Sequence, residues 1–200
     1  MNEIKQSVPA PGKAGQADGA AESSPKAPAL AAVPPTLDEF MAQALAMEIE
    51  AVERYSEFAD AMETHNNPEV AGMFRTMAGY EAKHAQQIMS DMGWVEAPAV
   101  KRQAVAWASF DAPEAPPIDA VHYLMQPWHV LQLALANEER AERFFAHLAS
   151  VATVESVRKA ALELQQEERE HVELVKAWMQ KVPQPDHNWD HDPDPPRYDE

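Results

Sequence analysis

The chain contains no cysteine and no long apolar run, and each absence excludes a class of protein. Without cysteine there are no disulfides, no thiolate metal sites and no cysteine-ligated iron–sulfur centres. No run of about 18 apolar residues occurs, so we expect no transmembrane helix. The first residues also lack the apolar stretch of a secretory signal. These absences make a cytoplasmic location, with no membrane partner, the default prediction.

Basic residues are scarce relative to acidic ones. Lys and Arg total 16 whereas Asp and Glu total 33, which gives a formal net charge of −17. Nucleic-acid binding needs a basic surface, so we predict no nucleic-acid partner. The hydrophobic fraction of 46% is sufficient for a sizeable core, and 200 residues suggest one domain with tails.

The distribution of proline and polar residues divides the chain into three parts. Residues 1–35 are rich in Ala, Pro, Gly and Ser and have no apolar period, which predicts a disordered N-terminal tail. Residues 36–182 are predicted to form the folded domain. Residues 183–200 are acidic and rich in Pro, Asp and His, which predicts a solvated C-terminal tail. His187 and His191 leave open a metal-binding or docking role for that tail.

Four long amphipathic segments predict four helices. The first follows a capping box at Thr36 and runs to about residue 65, and the second begins after Asn67 and ends before Gly93. The third begins after Gln126 and runs to about residue 151, and the fourth runs from Thr153 to about residue 181. A short turn of helix is also expected within residues 118–125. Short loops within each pair indicate antiparallel neighbours.

A long proline-containing segment separates the second predicted helix from the third. Residues 93–118 carry Trp94 and Trp107, which suggests that the segment packs on the helices. A long loop inside a compact domain is unusual, but a four-helix bundle with one long crossover uses it at this point. We therefore predict an all-α, antiparallel four-helix bundle with a crossover between helices 2 and 3.

Each predicted helix has an inner apolar stripe that contains one glutamate at mid-length. The four glutamates are Glu48, Glu81, Glu138 and Glu168. Two of them begin a Glu-x-x-His motif, Glu81 with His84 and Glu168 with His171. Positions i and i+3 share one helix face, and a carboxylate with an imidazole suits iron, manganese or zinc. The alternative is that the stripes are displaced by one position and these acids lie on the surface.

The first helix pair is repeated in the second pair. Glu48-x-x-Ala51 aligns with Glu138-x-x-Ala141, and Glu81-x-x-His84 aligns with Glu168-x-x-His171. Four buried carboxylates are very unfavourable without cations, and two divalent cations would neutralise their charge. One Glu from each of two helices and Glu-x-x-His from the other two is the ligand set of di-iron and di-manganese helix bundles. The sequence therefore predicts metal ligation, with Glu48 and Glu138 terminal, Glu81 and Glu168 bridging, and His84 and His171 on one metal each.

This combination of motifs resembles the rubrerythrin-like branch of the ferritin-like superfamily over roughly residues 36–181. The matching motifs are Glu48-x-x-Ala51-x3-Tyr55, Tyr80-Glu81-x-x-His84-Ala85, Glu138 and Glu167-Glu168-x-x-His171. The resemblance implies a ferritin-like fold and two iron ions, with manganese or zinc as alternatives. It also implies a non-haem di-iron oxidoreductase that reduces hydrogen peroxide or O2, and that acts as a ferroxidase when no reductant is present.

Two departures from the family pattern matter. Rubrerythrins usually add a cysteine-ligated iron domain, so this chain would need a separate electron donor, rubredoxin-like or other. They also tend to carry an extra glutamate one turn after the helix-three ligand, where this chain has Ala141. That carboxylate supports the peroxidase chemistry of the family, so its absence argues against an efficient peroxidase.

Three further interpretations stay open in the sequence. Tyr55 lies two turns from Glu48 and is either a catalytic residue, which hydrogen-bonds a ligand or quenches oxidising equivalents, or part of the core. The apolar strip of Leu45, Ile49 and Val52 either widens the core or forms the face of a homodimer. The rival to an enzyme is a non-catalytic module that holds iron or delivers it to a partner.

Overall fold

A computed structural model describes residues 33–100 and 112–192. These ranges contain the helices α1 Leu37–Thr64, α2 Pro68–Asp91, α3 Pro127–Val151 and α4 Glu155–Met179, and no strand. Helix α1 packs along α2 and α3 packs along α4, and the two pairs meet through α2 with α3 and α1 with α4. The predicted all-α, ferritin-like four-helix bundle is confirmed. None of these helices combines the length and apolarity needed to cross a membrane.

The helix ends follow the capping signals of the sequence closely. The side-chain oxygen of Thr36 accepts a hydrogen bond from the backbone N–H of Glu39 at 3.2 Å, which begins α1. Gly93 follows the end of α2 with a φ of 65°, a conformation that glycine adopts without strain. Helix α4 begins at Glu155, slightly after the predicted start at Thr153.

Residues 118–125 form isolated turns, so the short helix predicted there is wrong. The segment lies between Pro117 and Pro127, and so short a stretch cannot gain enough helical hydrogen bonds to offset nucleation. The C-terminal end of this segment is instead held by Asn67. The Nδ2 atom of Asn67 donates to the carbonyl oxygens of Tyr123 at 3.2 Å and Met125 at 2.8 Å. These bonds join the α1–α2 loop to the start of α3.

The predicted apolar stripes face the interior and form two clusters. The first includes Phe40, Met47, Phe145 and Leu148, and the second includes Tyr55, Phe58, Phe74 and Leu131. Glu48 lies in the chain between Met47 of the first cluster and Ala51 of the second. The layer of glutamates therefore lies between two apolar regions of the bundle.

The segments outside the helices pack on the bundle where they are described. Trp94 lies against the first cluster, as expected, whereas Trp107 lies outside the described residues. Near the C-terminus, Trp189 lies against the second cluster, with its ring centroid 3.9 Å from that of His129. The domain boundaries at residues 35 and 182 stay a prediction, and the described part of the C-terminal segment is in contact with the bundle.

The second apolar strip of α1 is divided between core and surface. Leu45 is 2% exposed and belongs to the first cluster, whereas Ile49 is 37% exposed. Val52 is partly buried. Leu45 therefore widens the core, and Ile49 is left on the surface.

Candidate metal centre

The first group of predicted ligands lies together in the middle of the bundle. Candidate ligand atoms of Glu48, Glu81 and His84 all lie within 4.8 Å of one another. Helix α2 presents Glu81 and His84 on one face, and the Nδ1 atom of His84 lies 3.4 Å from Glu81 Oε2. Helix α1 adds Glu48, whose Oε2 lies 3.7 Å from the same nitrogen.

The second group repeats this arrangement in the other helix pair. Candidate ligand atoms of Glu138, Glu168 and His171 also lie within 4.8 Å of one another. The Nδ1 atom of His171 lies 3.4 Å from a carboxylate oxygen of Glu138 on α3 and 3.4 Å from one of Glu168 on α4. The internal sequence repeat therefore corresponds to two similar triads of side chains.

The burial of the glutamates rejects a surface position for them. The exposed fractions are 4% for Glu48, 5% for Glu81, 7% for Glu138 and 3% for Glu168. Their neighbours Glu53 and Glu170 are exposed. The helical register that the apolar stripes predict is therefore right, and these four carboxylates lack bulk water to stabilise their charge.

The electrostatics of the two triads reflect this burial. Desolvation raises the pKa of Glu48 to about 8 and that of Glu138 to about 7, because it disfavours the charged carboxylate. Desolvation raises the pKa of Glu81 as well. Burial by itself lowers the pKa of each histidine, but hydrogen bonds to the carboxylates raise the pKa of His84 to about 10 and that of His171 to about 11. In the metal-free protein, protons on the imidazoles balance part of the negative charge.

A fifth buried glutamate, Glu114, joins the site from the crossover. It is 3% exposed, and neither carboxyl oxygen has a hydrogen-bond partner among the described residues. Its carboxylate lies with those of Glu48 and Glu168, and the three candidate ligand atoms are within 4.8 Å of one another. Desolvation raises the pKa of Glu114 far above its usual range, and the neighbouring carboxylates raise it further. Sequence analysis missed this residue, because the proline-rich crossover has no helical period to give its register.

Tyr55 is fully buried beside the site. Its hydroxyl oxygen accepts a hydrogen bond from Asn137 Nδ2 at 2.8 Å, and the carbonyl oxygen of Asn137 accepts one from Arg140. The ring stacks on Phe74, with centroids 6.1 Å apart. Burial raises the pKa of Tyr55 well above its usual range, so the phenol stays neutral. Tyr55 thus belongs to the core and also heads a polar chain, which Asn137 and Arg140 continue and which the sequence did not reveal.

A cavity of about 660 Å³ connects the site with the surface. Glu48, His84 and His171 line its inner part, and Lys83 and Lys159 are among the residues that line the rest. The side chains of His84 and His171 are 28% and 22% exposed, whereas the glutamates behind them are buried. A small molecule can therefore reach the imidazole side of the site.

The side chains fit two transition-metal ions. Carboxylate oxygens and imidazole nitrogens are ligands that iron, manganese and zinc accept, and each triad offers both. Buried carboxylate oxygens without partners are rare in proteins unless they bind a cation. Glu48 Oε2 and both carboxyl oxygens of Glu114 are of this kind among the described residues. The Glu and His clusters therefore fit a di-iron site.

Comparisons with known proteins agree with this site. The family model described as Rubrerythrin matches residues 39–115 and 129–192, which include both triads and Glu114. A solved structure of an uncharacterized conserved protein from Magnetospirillum magnetotacticum MS-1 is 36% identical, with a TM-score of 0.54. That match covers 76% of this chain and 98% of the other. No curated protein matches the chain.

Proposed function

The chain belongs to the rubrerythrin family, and we propose that it is a non-haem di-iron oxidoreductase that reduces hydrogen peroxide or O2. The observation that carries this proposal is the pair of buried carboxylate and imidazole triads, one from each helix pair, next to a cavity that is open to small molecules. A site that only maintained the fold would not need access from the surface.

Each residue of the two triads has a defined role in this proposal. Glu48 and Glu138 would be terminal ligands, Glu81 and Glu168 would bridge the two ions, and His84 and His171 would each bind one ion. Bound iron would supply the one-electron steps that protein side chains alone do not perform. The two apolar clusters flank the carboxylates, so the negative charge there would be stabilised mainly by the bound ions and the imidazoles.

The reaction requires a source of electrons outside the chain. Reduction of hydrogen peroxide to two molecules of water consumes two electrons and two protons. The chain has no cysteine for an iron–sulfur or rubredoxin-type centre, so a separate rubredoxin-like or other donor is proposed. Without a donor, the same site would oxidise Fe(II) with O2 or peroxide as the acceptor.

Tyr55 and a second copy of the chain are further parts of the proposal. We propose that the buried Tyr55 quenches oxidising equivalents, and its hydroxyl, which accepts a hydrogen bond from Asn137, keeps its own proton available. We also propose that the face of α1 that carries Ile49, which is 37% exposed, forms the contact of a homodimer. Light scattering of the purified protein tests the homodimer directly.

The second candidate is a non-catalytic module that holds iron or delivers it to a partner. The feature that favours it is Ala141, which is buried where the related enzymes tend to carry an extra glutamate. Both candidates bind two metal ions, so metal binding alone does not distinguish them. Turnover does.

The test is anaerobic loading with Fe(II), followed by metal analysis and exposure to hydrogen peroxide or O2 with optical monitoring. Two irons per chain that oxidise rapidly, and that react again after chemical reduction, support the oxidoreductase. Two irons that resist oxidation favour the metal-holding module. A chain that binds neither Fe(II), Mn(II) nor Zn(II) overturns both candidates.

A further inference from the structure

Glu114 is the buried acid of the site to which the proposed function gives no role. We propose that it is a seventh metal ligand, delivered to the di-metal site by the crossover and not by any of the four helices. This inference rests on the metal site of the proposed function and adds a residue to it. It assigns the crossover a direct part in metal binding.

The position of Glu114 supports ligation of metal. Its carboxylate groups with Glu48, which belongs to the first triad, and with Glu168, which belongs to the second. Glu114 therefore lies where the two triads meet. Its carboxylate can reach a cation that is bound by either triad or by both. Both of its oxygens are buried and lack partners among the described residues, so they are available as ligand atoms.

Helix α3 holds the crossover in place on one side of Glu114. The guanidinium of Arg140 donates to the carbonyl oxygen of Pro113 at 3.0 Å and to that of Ala115 at 3.1 Å. These carbonyls belong to the residues directly before and after Glu114. Because one planar side chain binds both, it fixes the backbone from which the Glu114 side chain extends.

Helix α1 holds the same segment from another direction. Arg54 donates to the carbonyl oxygen of Pro116 at 2.6 Å, and Glu50 accepts from the backbone N–H of Ala112 at 3.2 Å. The five residues 112–116 are therefore held by side chains from two helices. Such preorganisation around one side chain is what a metal site requires of a ligand carried on a loop.

A merely structural role does not account for Glu114. Asn137, a buried polar residue near the site, has partners in both Tyr55 and Arg140, whereas neither oxygen of Glu114 has one among the described residues. A buried carboxyl group without a hydrogen-bond donor is destabilising, and a bound cation would give its oxygens the partners that the described residues do not.

The first experiment compares metal binding by three forms of the full chain. Anaerobic titration with Co(II), followed by absorption, is applied to the wild type, to Glu114→Gln and to Glu96→Gln, an exposed acid in the same inter-helix segment. We expect two ions per chain in the wild type and in Glu96→Gln. In Glu114→Gln we expect at least a tenfold loss of affinity for one ion and an altered Co(II) spectrum, because loss of a ligand should exceed the roughly 10–100-fold effect of outer-shell changes.

Equal affinity and equal spectra in Glu114→Gln and the wild type would overturn the role of Glu114 but leave the proposed function intact. If the wild type binds neither Co(II) nor any of Fe(II), Mn(II) and Zn(II), the proposed function and this inference fail together. A second measurement needs no variant: anomalous diffraction from wild-type crystals loaded with Zn(II). A Glu114 oxygen at about 2.0–2.2 Å from a zinc ion supports the proposal, and an occupied site with Glu114 more than about 3 Å away contradicts it.

Discussion

The imidazole rings of His84 and His171 lie face to face, with centroids 4.2 Å apart and 3° between their planes. One ring comes from α2 and the other from α4, so the contact joins the two halves of the repeat. Two protonated imidazoles would repel each other at this distance, and the surrounding carboxylates make the contact tolerable in the metal-free protein. Metal ions bound to the two imidazoles would replace those protons.

Metal loading at pH 7 should therefore release protons. The pKa values of His84 and His171 are raised to about 10 and 11, so both imidazoles hold protons at pH 7 without metal. Because a ligand must be deprotonated to bind, we expect release of about two or more protons per chain on saturation. Calorimetry in buffers of different ionisation enthalpy measures this number. Full metal uptake with no proton release would contradict the assignment of the histidines.

The metal-free protein should be more stable at pH 6 than at pH 8.5. The folded-state pKa values of Glu48 and Glu138, about 8 and about 7, exceed the unfolded value of 4.5. The folded state therefore holds more protons, and this stabilisation is lost as pH rises through 7 and 8. The raised pKa values of the histidines act in the same direction at higher pH. Urea denaturation at the two pH values tests the sign, and a greater free energy of unfolding at pH 8.5 would show it to be wrong.

Loss of Glu81 or Glu168, the two carboxylates proposed to bridge the ions, should abolish metal binding and Fe(II) oxidation. Glu81→Ala and Glu168→Ala each remove a buried side chain of one triad. Glu81 is 5% exposed and Glu168 is 3% exposed. Removal of one bridge leaves each ion with an incomplete ligand set, so both should be lost together. Metal analysis after anaerobic Fe(II) loading measures the effect. Glu170→Ala, at an exposed position of α4, is the control and should retain both ions.

Tyr55→Phe should lower the free energy of unfolding by about 1–3 kcal/mol, because it leaves the buried Asn137 amide without its partner. Urea denaturation of the metal-free protein measures this change. If Tyr55 also quenches oxidising equivalents, repeated turnover should inactivate the variant faster than the wild type at equal iron content. Tyr123→Phe removes a hydroxyl that bonds Asp192 at a partly exposed position, and its smaller effect serves as the comparison. Equal stability of Tyr55→Phe and the wild type would contradict the importance of the buried bond.

Phe74→Ala should lower the free energy of unfolding by about 3–5 kcal/mol. Phe74 is completely buried and packs against Tyr55 and Phe58, with ring centroids 6.1 Å and 5.4 Å away. Loss of the ring would leave a cavity in the second apolar cluster, which also contains Tyr55. Denaturation with urea gives the change, and Leu162→Ala, at 50% exposure on α4, should have little effect. A loss of less than about 1 kcal/mol in Phe74→Ala would mean that the cluster readily collapses around the cavity.

The sequence by itself determined the four long helices, their register and the two triads. Helical periodicity is a local property: Glu81 and His84 share a face because they are three positions apart on one helix, whatever else the chain does. The apolar stripe shows that this face is the buried one. The internal repeat then indicates that Glu138 and Glu168 occupy the equivalent places in the second helix pair.

Only the tertiary structure decided what the crossover contributes. Glu114 lies in a proline-rich segment that has no hydrophobic periodicity. Ala112, two positions before it, donates a backbone hydrogen bond to Glu50, which is 62 residues away in the chain. Asn137 likewise lies one position from the stripe residue Glu138, and its role depends on Tyr55, 82 residues away. Such contacts follow from how the helices pack and where a loop crosses them, and no local pattern records them. The physical reason is that a loop gains its position from partners far away in the sequence, whereas a helix face is fixed by its own geometry.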